Sequence, residues 1–225
     1  LILSGSSLAF ADPQPAECLR CHGNVEPPAD AGGAKPPLLD SAFSMSWLMY
    51  ETSSAQTPPY TQIPEPHSVS RGRTYYDWSD RSMTEIYRDR CIDIFEGGND
   101  FSCQFLSNHE KTYLIRFALG DLTKPTSCCR WSADPFWAPR PDVLANMHFQ
   151  QSLKLDGTDT DFWSLDIPIP GPFGYGVAGK RPVAFWFPVI GGWVQQEFSD
   201  YVSARPDPGV FEAPRICQGE IPLCR

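Results

Sequence analysis

From Ala42 onward the chain alternates short apolar runs with turn signals: SMSWLMYE, the proline-rich TPPYTQIPEP, RTYYDW, SDRS, MTEIYRD, and RCIDIFE closing at Gly97-Gly98. Runs of about five to eight residues at this spacing predict a mostly antiparallel sheet. Alternation is clearest in KTYLIRFAL, where Tyr113, Ile115, Phe117 and Leu119 share one side and Thr112, Leu114, Arg116 and Ala118 the other, because successive strand side chains point to opposite faces. DFWSLDIPI repeats the pattern, with Trp163, Leu165, Ile167 and Ile169 opposed to Phe162, Ser164, Asp166 and Pro168. In RPVAFWFPVIGGWVQQEF both sides are apolar, Val183, Phe185, Phe187 and Val189 against Ala184, Trp186 and Pro188. That strand is expected to be covered twice. Helical spacing is found only in PDVLANMHFQ, residues 141 to 150, through Val143, Leu144, Met147 and His148,.

Twenty-three prolines narrow the choice of sheet, since each removes a ladder donor. The expectation is a mainly β protein: a strongly curved antiparallel sheet, an open half-barrel with one or two short helices and disulfide staples. Its domain should run over residues 42 to 217, with a short tail at 218 to 225. Residues 12 to 41, rich in Pro, Ala, Gly and Asp, read as an extended leader,. Before it, LILSGSSLAFA ends in Ala9-Phe10-Ala11, an A-x-A pattern that reads as the remnant of a secretory signal peptide.

Composition fits that picture. Hydrophobic residues make up 41% of the 225, enough to fold around a core, and a formal charge of -9 without a basic run argues against nucleic acid as a partner,. No run approaches about 18 apolar residues, so no transmembrane segment is expected. Export to a secreted, extracellular or endomembrane-lumen location would suit eight cysteines, Cys18, Cys21, Cys91, Cys103, Cys128, Cys129, Cys217 and Cys224, an even number,. The adjacent pair Cys128-Cys129 should reach two different partners, because a ring between neighbours is strained.

Several motifs invite chemistry. Cys18-Leu-Arg-Cys21-His22 has the spacing of c-type haem attachment,, with Met45 and Met49 available as second axial ligands. The sequence around it lacks the helical periodicity of a haem wrapping, so disulfide anchoring of the leader is the preferred reading. Zinc would need further ligands at close spacing, whereas His67, His109 and His148 stand alone,. In DGTDTD, Asp156, Asp159 and Asp161 are weak calcium candidates, their spacing not being that of an EF-hand,; a solvated turn is expected, and no metal site. Gly171, Gly174 and Gly176 lack the following Lys-Ser/Thr of a phosphate cradle and read as a wide hairpin loop,. Asp77, Asp80, Arg81, Glu85 and Arg88 read as cross-strand ion pairs of a hairpin,. With no G-x-S-x-G and no H-E-x-x-H, no enzyme and no catalytic residue are expected,.

Taken in order, Tyr76-Asp77 with Arg81 in YYDWSDRSMTEIY, TYLIRF before Cys128-Cys129, PFWAPRPDVLANMHF, DGTDTDFWSLDIP and the closing VFEAPRIC resemble the ependymin-related family over roughly residues 42 to 217. The resemblance implies a secreted or lysosomal protein with a bent sheet similar to bacterial lipoprotein carriers. It also implies a concave apolar pocket for lipid-like ligands, a homodimer, calcium binding, and a Cys217 bridge tying the tail to the body. The chain departs from the pattern in its extra cysteines, its leader and its lack of an N-glycosylation sequon. The expected function is therefore hydrophobic-ligand binding, to a lipid or fatty acid, by Tyr113, Ile115, Phe117, Phe149, Trp163, Leu165, Phe185 and Phe187,. The alternative is an extracellular structural or adhesion module without a small-molecule ligand.

Overall fold

The computed structural model describes residues 35–53, 55–92, 98–108, 111–131, 138–166, 172–189 and 191–224. The signal segment, Cys18, Cys21, His22, His109, Ile167, Ile169 and Gly171 lie outside them. Eleven strands occur among the described residues: β1 (Ala42–Thr52), β2 (Ser68–Asp77), β3 (Ser82–Tyr87), β4 (Ser102–Ser107), β5 (Thr112–Ala118), β6 (Asp121–Arg130), β7 (His148–Leu155), β8 (Thr158–Leu165), β9 (Phe173–Ala178), β10 (Arg181–Val189) and β11 (Gly192–Val202).

All eleven join one open antiparallel sheet in the order β6-β5-β4-β3-β2-β1-β11-β10-β9-β8-β7. Strands consecutive in the chain are adjacent in the sheet except β6 and β7, and at the centre β1 lies between β2 and β11. β6 and β7 are the two edges, so the chain between them must cross the sheet. Its described part does so over one face: Ala138 packs with Phe43, Met45 and Tyr76, the Tyr76 hydroxyl donates to the Pro139 carbonyl at 2.5 Å, and Leu144 and Met147 pack on Trp163 and Val177.

The helix expected over 141 to 150 does not form. Val143–Asn146 makes one 3-10 turn and His148 already opens β7. Asp142 holds the N-cap position, but its carboxylate accepts from Arg140 Nε and Nη2 at 2.8 and 2.7 Å and caps nothing. The three-residue spacing of Leu144 and Met147 serves a 3-10 turn as well as an α-helix.

Strand alternation settles the two faces. Phe43, Met45, Trp47 and Met49 of β1 pair with Tyr76, Thr74, Gly72 and Ser70 of β2 and lie on what we call the aromatic face. Cys128 and Cys129 fall on opposite faces of β6, opposite Ile115 and Leu114 respectively. Each meets a different partner, as expected: Cys128 bonds Cys217 and Cys129 bonds Cys224, while Cys91 bonds Cys103. The tail, through Phe211 and Cys217, therefore seals Leu106, Tyr113, Ile115 and Phe117 on the far face. It then passes the β6 edge, where Arg130 N donates to Pro222 O at 2.8 Å and Cys224 N to Arg130 O at 2.9 Å. Part of an otherwise unpaired edge is thereby covered. Register shifts occur in the β1–β11, β9–β10, β5–β6 and β7–β8 ladders, and such bulges bend and twist a sheet.

Candidate functional site

One rung of the aromatic face runs unbroken from the centre to an edge: Met49, Gln196, Phe185, Tyr175, Trp163 and Phe149, one residue from each of β1, β11, β10, β9, β8 and β7. On the other side of β1 the rungs are Trp47, Gly72, Tyr87, Cys103, Arg116 and Met45, Thr74, Glu85, Phe105, Leu114. Rings touch along this surface. Tyr175 and Phe185 centroids lie 4.6 Å apart, Phe185 and Phe187 5.3 Å, Phe149 and Trp163 5.4 Å, Trp47 and Tyr87 4.7 Å, and Tyr87 and Phe105 5.8 Å. Separations and tilts of this kind suit aromatic quadrupoles.

Glycine makes the tightest of these contacts available. A Cβ on Gly72 would stand 2.0 Å from Trp47 Cζ2 and 2.3 Å from the Ile86 carbonyl, so the indole lies flat over the β2 backbone and donates from Nε1 to Thr74 Oγ1 at 3.1 Å. Gly174 plays the same part on the far face, beneath Trp186. Gly174 and Gly176 thus sit inside β9 and not in the wide loop expected from their spacing.

A polar cluster interrupts the rings. Loss of hydration pushes the Glu85 carboxyl up to about 7, against the pull of a bond from the Tyr87 hydroxyl. Tyr87 is itself raised well above its ordinary value, first by burial and then by the fields of Glu85 and Glu51. Gln196 leans toward the Tyr87 oxygen, yet its Nε2 finds no acceptor at hydrogen-bonding geometry among the described residues, and neither does Trp163 Nε1. Both residues are 1% exposed. Buried donors without acceptors are uncommon because each forfeits its hydration. Phe105, Phe173, Tyr175, Phe185, Phe187 and Phe198 stay half-buried although they belong to the central part of the surface.

The structure divides the residues expected to form the pocket. Phe149, Trp163, Leu165, Phe185 and Phe187 are on the aromatic face. Tyr113, Ile115 and Phe117 are not: they are on the far face, packed against Phe211 and Cys217. Alternation tells which residues of a strand share a side, but β5 buries both of its sides, and only the register with β4 shows which side joins the rings. Val183 also changes sides, because the irregularity between Pro182 and Ala184 moves it into the far-face cluster with Ala184, Trp186 and Phe162. Phe43, Trp47, Tyr87, Glu85, Phe105 and Phe198 were missed. The alternation of Met45, Trp47 and Met49 in SMSWLMY was the available signal.

The charged hairpin also resolves differently. Asp77 pairs at 2.6 Å with Arg205, far along the chain, and not with a hairpin neighbour; Glu85 faces the rings and Arg88 the opposite side. In the acidic turn, Asp156 takes a left-handed backbone (φ 46°) between β7 and β8. Asp159 accepts from Lys154 Nζ at 2.7 Å and Asp161 from Ser152 Oγ at 2.6 Å. Among the described residues no three His, Cys, Asp or Glu side chains converge as metal ligands.

No protein-family model matches the chain, and no curated protein is similar to it in sequence. Among solved structures, it is similar to an uncharacterized conserved protein from Thermus thermophilus, with 10% identity, 80% of this chain and 90% of that one covered, and a TM-score of 0.46. The Pseudomonas aeruginosa MucA/MucB complex matches with 11% identity over 79% of this chain and 57% of that one, TM-score 0.40. A DUF1329 family protein from Desulfovibrio piger matches with 12% identity over 77% and 90%, TM-score 0.30.

Proposed function

We propose that the protein binds a hydrophobic ligand, a lipid or fatty acid, against the aromatic face of a sheet bent into an open half-barrel. The observation that carries this reading is the continuous rung Gln196, Phe185, Tyr175, Trp163 and Phe149, whose middle rings stay half-buried. A second layer is needed to cover such a surface; the described crossover covers the parts near Phe43 and Trp163, and Cys91, Ile92 and Cys224 cover Trp47, Tyr87 and Leu114, which leaves the Phe173, Tyr175, Phe185 and Phe187 part half-buried. Contiguous apolar surface left open in this way marks an interaction site.

Electrostatics supports the bend. Burial raises the Tyr175 hydroxyl on β9 first, and the charge of Glu85 on β3 raises it further, although β2, β1, β11 and β10 stand between them. At about 4.8 Å per strand a flat sheet would hold the two about 24 Å apart. A curled one brings them close enough to interact.

An acyl chain that buries about 300 Å² of apolar surface there gains about 7 kcal/mol before ordering costs. The Gln196 and Trp163 N–H groups would donate to a carbonyl or ester oxygen. Among the described residues three disulfides fit an oxidising compartment,, and no helix is long and apolar enough to cross a membrane. The landmarks read as resembling the ependymin-related family favour the same function, though no family model supports that resemblance.

Titration of the delipidated protein with a fluorescent fatty-acid analogue tests the proposal. Saturable binding should appear, weakened about tenfold in Phe185→Ala, whose ring is the centre of the Phe173, Tyr175 and Phe187 contacts,. Uptake no greater than that of an inert secreted control would refute it.

A further inference from the structure

The far side of β1 and β2 carries a groove of about 400 Å³, lined by Ser46, Leu48, Arg71, Arg73, Arg88 and Ser199. Alternation sets Arg71 and Arg73 on the same face of β2, beside Leu48 and Ser46 of β1, and Ser46 is in turn beside Ser199 of β11. Arg88 follows the end of β3 and is drawn alongside by a bond from its N–H to the Arg71 carbonyl at 2.8 Å. Three guanidinium groups thus converge in a chain whose formal charge is -9.

Their partners are unequal. Arg71 is neutralised by Asp89, with Nε and Nη2 each 2.8 Å from a carboxylate oxygen. Arg73 lies over the Tyr75 ring at 5.2 Å and donates from Nη2 to Ser44 Oγ at 3.3 Å, while its Nε is buried with no acceptor. Neither Arg73 nor Arg88 has a carboxylate within salt-bridge distance among the described residues. The other nearby acid, Glu197, accepts from Gln195 Nε2 at 3.2 Å. What is left is Arg73 without a carboxylate partner and Arg88 within the field of Asp89 but not paired with it, beside two serine hydroxyls on a rigid sheet.

We infer that this groove binds a tetrahedral oxyanion, a phosphate or sulfate group, through Arg73 and Arg88 with Ser46 and Ser199 as neutral donors. Guanidinium suits the role because its fixed fork of donors matches the oxygens of such groups. The groove is on the face opposite the rings, so the inference stands independently of the hydrophobic ligand. A free soluble ester and a lipid headgroup would present the same chemistry.

Calorimetric titration with inorganic phosphate and inorganic sulfate at low ionic strength, with chloride as control, provides the test. Binding should exceed that of chloride, weaken with added salt, and fall about tenfold in Arg73→Gln and in Arg88→Gln. Arg88 is exposed, so its variant remains informative even if Arg73→Gln fails to fold. Arg140→Gln, in a pair on the crossover, should bind as wild type, and so should Phe185→Ala, whatever happens to its acyl affinity. Sedimentation with phosphatidylcholine vesicles, with and without phosphatidic acid, separates the sources: retention on the acidic vesicles assigns a lipid headgroup, and phosphate binding without retention assigns a soluble ester. Phosphate and sulfate binding no tighter than chloride, or variants indistinguishable from wild type, would overturn the inference.

Discussion

Replacing Glu85 by Gln tests the polar centre of the aromatic face. The substitution keeps the size and hydrogen-bonding capacity of the protonated acid and removes its titration. In the folded protein the carboxyl is held at about 7 against an ordinary 4.5, a difference of about 2.5 units, or about 3 kcal/mol at about 1.4 kcal/mol per unit. The folded state holds this proton more tightly than the unfolded one, so wild-type stability should fall as pH rises from about 4.5 through about 7 and then level off. Tyr87 and Tyr175, which face the same carboxyl, are themselves pushed up by burial and stay neutral across this window. Urea unfolding should find the variant within about 1 kcal/mol of wild type at pH 5 and up to about 3 kcal/mol more stable at pH 8. Acyl-probe affinity should fall above pH 7 in the wild type and stay flat in the variant. A stability difference that does not change with pH, or a variant less stable at pH 8, would show that Glu85 is well hydrated and the surface around it open to bulk water.

Two further perturbations read the frame. Gly72→Ala puts a methyl 2.0 Å from Trp47 Cζ2; thermal unfolding should reveal a loss of about 1–3 kcal/mol, with a change in tryptophan emission as the indole is displaced. Removing both Cys128–Cys217 and Cys129–Cys224, which bridge 89 and 95 positions side by side, should cost at least about 4.6 kcal/mol of chain entropy, against about 2.8 for the 12-residue Cys91–Cys103 loop,. Denaturation of the variant with all four of these cysteines changed to Ser, beside the Cys91/Cys103 double variant, checks the order, and the reverse order would count against the loop-entropy account.

Much of the sheet was legible because its strands obey period two: the faces of β5 and β8 follow directly from KTYLIRFAL and DFWSLDIPI. The different partners of Cys128 and Cys129 were legible too, since a ring between adjacent cysteines is strained, and the strand then sends them to opposite faces. What the sequence could not supply was the pairing of β1 with β11, a contact between residues more than a hundred positions apart, and with it the identity of the ligand-facing side. Tyr113 and Phe185 have the same local pattern and end on opposite faces. Gly174 looked like a turn residue because an indole lying over a strand leaves no mark beside the glycine in the sequence. The arginine groove was partly hidden: Arg71, Arg73 and Arg88 are gathered by the β2–β3 hairpin, but Ser199 joins them only through that central seam.

The seam also sets the order of assembly. While the chain leaves the ribosome, β2 to β6 and later β7 to β10 can zip locally as meanders, but β1 must keep one edge open until β11 emerges, followed only then by Cys217 and Cys224. Long-range pairing of this sort is slow to nucleate, so an unsatisfied apolar strand is exposed for nearly the whole of synthesis.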